Sequence, residues 1–166
     1  MERKVVTLKF SDNVYHELNC ELIEFEKGIY IAYSGQFDGT HVDLNTLLYI
    51  GMSDDTSIKN RIRTHAEAHH NNWLEDQNEK GKNVFYKVAH IDNDIRNIEA
   101  NLIFRVKPPC NGQDIVNYNG TRPAPTIITN LNDLNTDKLE LVNNDNEIII
   151  INGINGNITD ILSLMP

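Results

Sequence analysis

The stretch "EANLIFRVKPPCN" at residues 99–111 decides how the rest of the chain is read. Ile95, Ile98 and Leu102 lie at helical spacing, with Asn93 or Asp94 as the capping candidate. Pro108 and Pro109 cannot continue that helix and turn the chain outward before Cys110 and Asn111. Two readings are open at this point. The segment is either an ordinary half-buried helix with a proline stop, or a scaffold on which Glu99 and Asn111 are fixed points of an active site.

Working outward, "NVFYKVAHI" at 83–91 reads as a strand, and "GIYIAYSG" at 28–35 and "TLLYIG" at 46–51 read as two more. The polar run "QFDGTHVDLN" at 36–45 between the latter two holds an Asp38-Gly39 turn signal and suits a loop or hairpin tip. From Thr56 or Ser57 the pattern turns helical, with Ile58, Ile62 and Ala66 on one stripe and Arg61, His65 and His69 on another. "KVVTLKF" at 4–10 alternates as a strand. Val14, Leu18, Leu22 and Phe25 then predict a short helix after Ser11. From residue 111 on, twelve of 56 residues are Asn, and "APTIITNL", "LELV" and "EIIIING" are strand candidates separated by turn residues. "LELVNNDNEIII" fits a hairpin.

These elements predict an α+β protein with a small, mainly antiparallel central sheet flanked by helices and extended by added N- and C-terminal strands. The expected division is an N-terminal extension over 1–27, a core over 28–112 and an Asn-rich extension over 113–166 packed on that core.

A chain of 166 residues with 40% hydrophobic composition can bury one good core. No apolar run approaches the roughly 18 to 20 residues that span a bilayer, and the N-terminus lacks a secretory stretch, so a cytoplasmic protein is expected. Cys20 and Cys110 fit free thiols in a reducing compartment better than a disulfide framework. The net charge of −9 opposes general phosphate binding, but it is unevenly spread. Residues 1–110 carry 13 of the 15 Lys and Arg against 17 acids, so any basic surface must come from that part.

Six polar positions stand out against this background: Tyr30 and Tyr49 on neighbouring strands, Arg61 and His65 one turn apart on a helix, Glu99 in the second helix, and Asn111 after the prolines. Taken singly each is ordinary. A strand tyrosine packs its ring in the core, a helix arginine is solvated, Glu99 has Arg96 within helical reach, and Asn111 suits a turn. Their joint order is less common. "GIY" at 28–30, "YIG" at 49–51, an Arg ten residues past that glycine with a His four further on, and then "EANLIFRVKPPCN" together resemble the GIY-YIG nuclease family over residues 28–112. The last stretch looks most like the UvrC repair nucleases.

The resemblance implies a DNA endonuclease that hydrolyses phosphodiester bonds with one divalent cation, Mg²⁺ or Mn²⁺. Glu99 would hold the cation, which as a hard ion needs few protein ligands beside water and phosphate oxygens. Arg61 offers a permanently charged fork for phosphate. Tyr30 and Tyr49 take the roles of base and positioning group, in an order left open, with His65 orienting or deprotonating a tyrosine or water. Metal, Arg61 and His65 are each expected to lower the phenol pKa. Asn111 is expected to hold the Glu99 helix against the tyrosine strands.

Three departures from the family pattern bear on biological role. Eighteen residues separate Tyr30 from Tyr49, a longer connection than usual and one that restriction-type relatives would show. Met52 follows "YIG" where many members carry Lys or Ser, which leaves an electrostatic role to Lys59 or Arg63, the expected nucleic-acid contacts. The acidic balance also lacks a basic DNA-binding appendage. Restriction, repair and mobile-element roles stay open, as does a monomer against a homodimer. The rival is a nuclease-fold module that binds nucleic acid or a partner protein without cutting. His65, His69 and His70 also invite a zinc site, but no ligand at suitable spacing completes it. Trp73 and Phe85 suit the core better than base stacking. Asn119-Gly-Thr and Asn157-Ile-Thr match a glycosylation pattern that an Asn-rich chain produces freely.

Overall fold

The computed structural model describes residues 6–66, 77, 79–112, 126–129, 140–141 and 148–150. Within them the chain forms a small mixed α+β domain built on a three-stranded antiparallel sheet in the order β3-β2-β4. These strands are β2 (Gly28–Phe37), β3 (Val42–Ser53) and β4 (Asn83–His90), flanked by helices α1 (Ile58–Ala66) and α2 (Ile95–Val106). The β2–β3 hairpin turns where Asp38-Gly39 predicts it, with Asp38 Oδ1 accepting the amides of Thr40 and His41 at 2.8 Å each.

The period-2 alternation of β2 sorts its side chains onto two cores. Ile29, Ile31 and Tyr33 face α2, where Ile50, Ile95, Ile98 and Leu102 join them. Tyr30 and Ala32 face α1, among Ile58, Ile62, Tyr86 and Val88. The β2–β3 register slips between Ala32 and Tyr33, pairing Ala32 with Tyr49 but Tyr33 with Leu47. That leaves Leu48 as an extra residue beside Tyr49, and such a bulge re-aims neighbouring side chains.

Both edges of this sheet are covered, which blunts open strand pairing. On β3 the cover is the segment after the double proline: Cys110 N–H donates to the Leu48 carbonyl at 2.9 Å, and Asn111 binds Ile50. On β4 it is the 11–15 segment, where Ser11 N–H donates to the Val88 carbonyl and Tyr15 and Tyr86 exchange amide hydrogen bonds at 2.8 and 2.7 Å. This edge pairing corrects the helix expected over Val14 to Phe25. Only Cys20–Leu22 is helical, as a single 3-10 turn, and Leu18 and Leu22 are exposed. Backbone groups engaged with β4 are not free for i→i−4 bonds.

Strand β1 (Val6–Lys9) pairs in parallel with β5 (Thr126–Thr129), which pairs in parallel with β7 (Ile148–Ile150), and β6 (Glu140–Leu141) runs antiparallel to β7. The two terminal regions thus share one second sheet. Leu8, Phe10 and Ile128 seat it in the α2-side core. The expected caps of α2 are half met. Asp94 occupies the N-cap position, but in a left-handed conformation and without a capping bond from its side chain, which instead accepts a 2.6 Å bond from Asn97 Nδ2. At the other end Lys107 adopts φ 52° and donates to the Ile103 carbonyl at 2.8 Å before Pro108 stops the helix.

Among the described residues no helix is long and apolar enough to cross a membrane, and Cys20 and Cys110 are not joined in a disulfide. His69, His70, Trp73, Asn119 and Asn157 lie outside the described residues. Phe85 is a core residue, packed at 5.8 Å from the His16 ring.

Candidate active site

Tyr30 projects from β2 toward α1 and is 2% exposed. Opposite it in the β3 register is Gly51, and a Cβ there would overlap Cζ and Oη of the Tyr30 ring. The glycine of "YIG" is therefore a bed for the tyrosine of "GIY". Above the ring, Tyr30 Oη and His65 Nε2 share a 2.6 Å hydrogen bond whose direction follows the imidazole tautomer. Tyr49 completes the cluster, its ring 6.2 Å from Tyr30 and 5.2 Å from His65, with Tyr86 on another side of Tyr30 at 6.2 Å.

Helical spacing explains how α1 serves this cluster. Ile58 and Ile62 bury its underside, and the flank carrying Arg61 and His65, one turn apart, looks over the tyrosines. Arg61 extends to Asp55 Oδ1 at 3.2 Å. Its Nε is buried and, among the described residues, is a side-chain nitrogen without a hydrogen-bond partner. A donor sealed from water and unanswered costs free energy unless an anionic oxygen meets it.

Glu99 sits half-buried on α2, and its charge reaches both phenols, raising Tyr30 and Tyr49 alike. Arg96, one turn before it on the same helix, directs its Nε to Asp54 Oδ2 at 3.7 Å. Asn111, 7% exposed, uses its whole amide on the backbone of Ile50, with Oδ1 accepting from N–H and Nδ2 donating to the carbonyl at 2.9 Å each. It acts on the middle residue of "YIG" as one more strand would.

Arg61 lowers both phenol pKa values, as expected of its charge, but burial outweighs it, and neutral His65 adds no charge. Burial holds Tyr30 well above its ordinary value, helped by Tyr49, Tyr86 and Glu99 and opposed by Arg61. Tyr49 is raised by burial and then by Glu99, against a hydrogen bond from Tyr30 and the charge of Arg61. His65 is pushed down to about 4 by burial and by Arg61, so it is a neutral imidazole near pH 7. With the phenol held high and the imidazole held low, the proton stays on Tyr30 and the pair rests neutral. Desolvation outweighs one guanidinium here.

Lys59 and Arg63, the expected nucleic-acid contacts, stand apart from the tyrosines. They occupy the other flank of α1, where both pair with the single carboxylate of Glu21, Lys59 at 3.9 Å and Arg63 in closer contact. Neither stands beside the tyrosines as a substitute for a residue after "YIG". Position 52 itself faces α2, since Met52 packs with Leu44 and Val106 against that core.

Tyr86, Asp55 and Glu21 were not singled out from the sequence. Tyr86 shares the β4 alternation with Val84 and Val88, which would have put it on the α1 face. Nothing in the sequence signals the other two. Among the described residues no group of three or more His, Cys, Asp and Glu could hold a metal ion by itself. A hard cation that keeps most of its water and takes substrate oxygens can be held by a lone carboxylate, and Glu99 is the carboxylate whose charge reaches both phenols. No protein-family model, curated protein or solved structure matches the chain.

Proposed function

We propose that this chain is a metal-dependent DNA endonuclease of GIY-YIG type, hydrolysing phosphodiester bonds with one divalent cation, Mg²⁺ or Mn²⁺, held by Glu99. What carries the reading is the convergence of Tyr30 from β2, Tyr49 from β3, Arg61 and His65 from α1, and the field of Glu99 from α2 on one cluster. The three-stranded sheet with a helix on each face is the finer GIY-YIG-like arrangement in this reading, with the second sheet as an addition.

When bound, the cation supplies a Lewis acid for the scissile phosphate and reverses the sign of the field that Glu99 alone imposes on the phenols. Arg61 offers the exposed fork of its guanidinium to phosphate oxygens and meets the charge that builds in the transition state. In this reading Tyr49, less buried than Tyr30, meets the attacking water. Tyr30, fixed between Gly51 and His65, donates its O–H to Tyr49 Oη and so favours ionisation of Tyr49 over its own. Neutral His65 returns its Nε2–H to Tyr30 in that state. Asn111 keeps the backbone of "YIG" in register beneath them.

Nicking of supercoiled plasmid with Mg²⁺ or Mn²⁺ tests this on wild type and Glu99→Ala. Metal-dependent cutting that vanishes in the variant supports the enzyme, and uncut plasmid with active-site metal bound contradicts it. The non-cleaving module is favoured by one observation, the pairing of Lys59, Arg61 and Arg63 with Glu21 and Asp55, which masks the basic face of α1. Retarded plasmid mobility without cutting would select it.

A further inference from the structure

The outer flank of α1 holds an arrangement that the catalytic cluster does not use. Lys59 and Arg63 lie one turn apart, and both close on Glu21 of the 3-10 turn Cys20–Leu22, one on each carboxylate oxygen. Arg63 also sends Nη1 to Asn60 Oδ1 at 3.3 Å, which brings its guanidinium to the exposed ridge of the helix. Arg61 stands on the opposite side of that ridge. Two cations gripping one oxyanion is the coordination that a nucleic-acid phosphate takes from Lys and Arg.

We propose that Lys59 and Arg63 form a second backbone-phosphate site and that Glu21 is a built-in competitor for it, a carboxylate standing in for phosphate until nucleic acid displaces it. The inference rests on the endonuclease reading only in naming DNA as the ligand. Glu21 is 60% exposed at its side chain and Lys59 and Arg63 are 36% and 42% exposed, so water and salt screen the contact. Exposed pairs of this kind are weak and readily exchanged. Arg61 and Arg63 lie on opposite flanks of the helix, roughly 10 Å across, so a backbone that reaches both brings more than one phosphate. The competitor explains how an acidic chain with a local basic helix binds DNA only where several contacts form together. A backbone that brings several phosphates at once gains more from displacing Glu21 than a single phosphate does.

The test is fluorescence anisotropy with a short mixed-sequence duplex in metal-free buffer, at several salt concentrations, on the full chain. Glu21→Gln should tighten binding about twofold to fivefold at low salt, within the range that exposed ion pairs span. Lys59→Gln with Arg63→Gln should weaken it and flatten the slope of log affinity against log salt by up to about two, near one unit for each phosphate no longer neutralised. Adding Glu21→Gln to that double variant should give no gain. Unchanged or weaker binding in Glu21→Gln, the same gain in both backgrounds, or no binding by any variant overturns the proposal. Plasmid nicking, scored separately, reports on the endonuclease reading. A chain that gains affinity as described yet never cuts retains the phosphate site and loses the enzyme.

Discussion

Tyr30 Oη and His65 Nε2 meet at 2.6 Å across 35 residues of chain, a phenol from the middle of the sheet and an imidazole from the last turn of α1. The contact ties β2 to α1 at the point where Tyr49 and Arg61 also converge. It joins two groups that burial keeps neutral, so it is a rigid polar link rather than an ion pair.

The neutrality of His65 has a pH signature. Its pKa falls from the ordinary 6.5 to about 4 on folding, so between those values the unfolded chain binds more protons than the folded one. Stability should therefore be undiminished above about 6.5 and decline as pH falls toward about 4, by up to about 3 kcal/mol from this group. Urea midpoints of wild type and His65→Gln at pH 7, 5.5 and 4.5 isolate that share from the carboxylates. Wild type should lose stability faster than the variant on acidification. Parallel curves would show that His65 titrates normally.

Gly51→Ala should dislodge Tyr30, because the added methyl enters the space of the phenol ring. The expected cost is about 1–3 kcal/mol, typical of overpacking, together with loss of most activity. Gly112→Ala is the matched control, since nothing lies within 4 Å of its Cβ position. Equal thermal midpoints for the two variants would mean that Tyr30 does not rest on Gly51 as described.

Asn111→Ala should leave the N–H and carbonyl of Ile50 without partners at the sheet edge, for a loss of about 2–4 kcal/mol. Asn111→Asp retains the acceptor but turns a carboxylate toward the Ile50 carbonyl. It should be less stable than Asn111→Ala near pH 7 and recover on acidification as the carboxyl regains a donor. Chemical denaturation at pH 7 and pH 5 checks both statements, and an Asp variant insensitive to pH would contradict the two-bond arrangement.

Much of this arrangement was legible in the sequence, and the exceptions share a cause. Strands and helices with clear periods fell where alternation and proline stops put them, as in Gly28–Phe37 and Ile95–Val106. The segment from Val14 to Phe25 misled because apolar residues at helical spacing say nothing of a strand edge waiting for their backbone. For the same reason the order of Tyr30, Tyr49, Arg61 and His65 was readable from spacing, whereas the pKa directions were not. Burial sets those, and burial depends on Gly51, Tyr86 and Ile58, which come from three separate elements. Glu21 escaped because a partner across the fold leaves no local pattern.

Arg61 and Glu99 should separate in their effects. Arg61→Ala removes transition-state stabilisation and should cut turnover by about 10²–10³-fold, the usual cost of one such donor, while leaving cation binding intact. Glu99→Ala should lose the cation itself. Isothermal titration with Mn²⁺ beside single-turnover cleavage distinguishes them, and equal metal affinity in the two variants would contradict the division of roles.

The last expectation concerns the phenols. Glu99 raises Tyr49 by its charge, second only to burial, so Glu99→Gln should lower the Tyr49 pKa while burial still holds it above the ordinary phenol value. Phenolate absorbance followed against pH, with the Tyr49 signal obtained by difference from Tyr49→Phe variants, reads that shift directly. Mn²⁺ added to the wild type should push Tyr49 in the same direction, because a divalent charge at Glu99 outweighs the carboxylate, and should leave Glu99→Gln unmoved. A Tyr49 titration that ignores both the substitution and the metal would detach Glu99 from the tyrosine cluster, and with it the one-cation reading of the site.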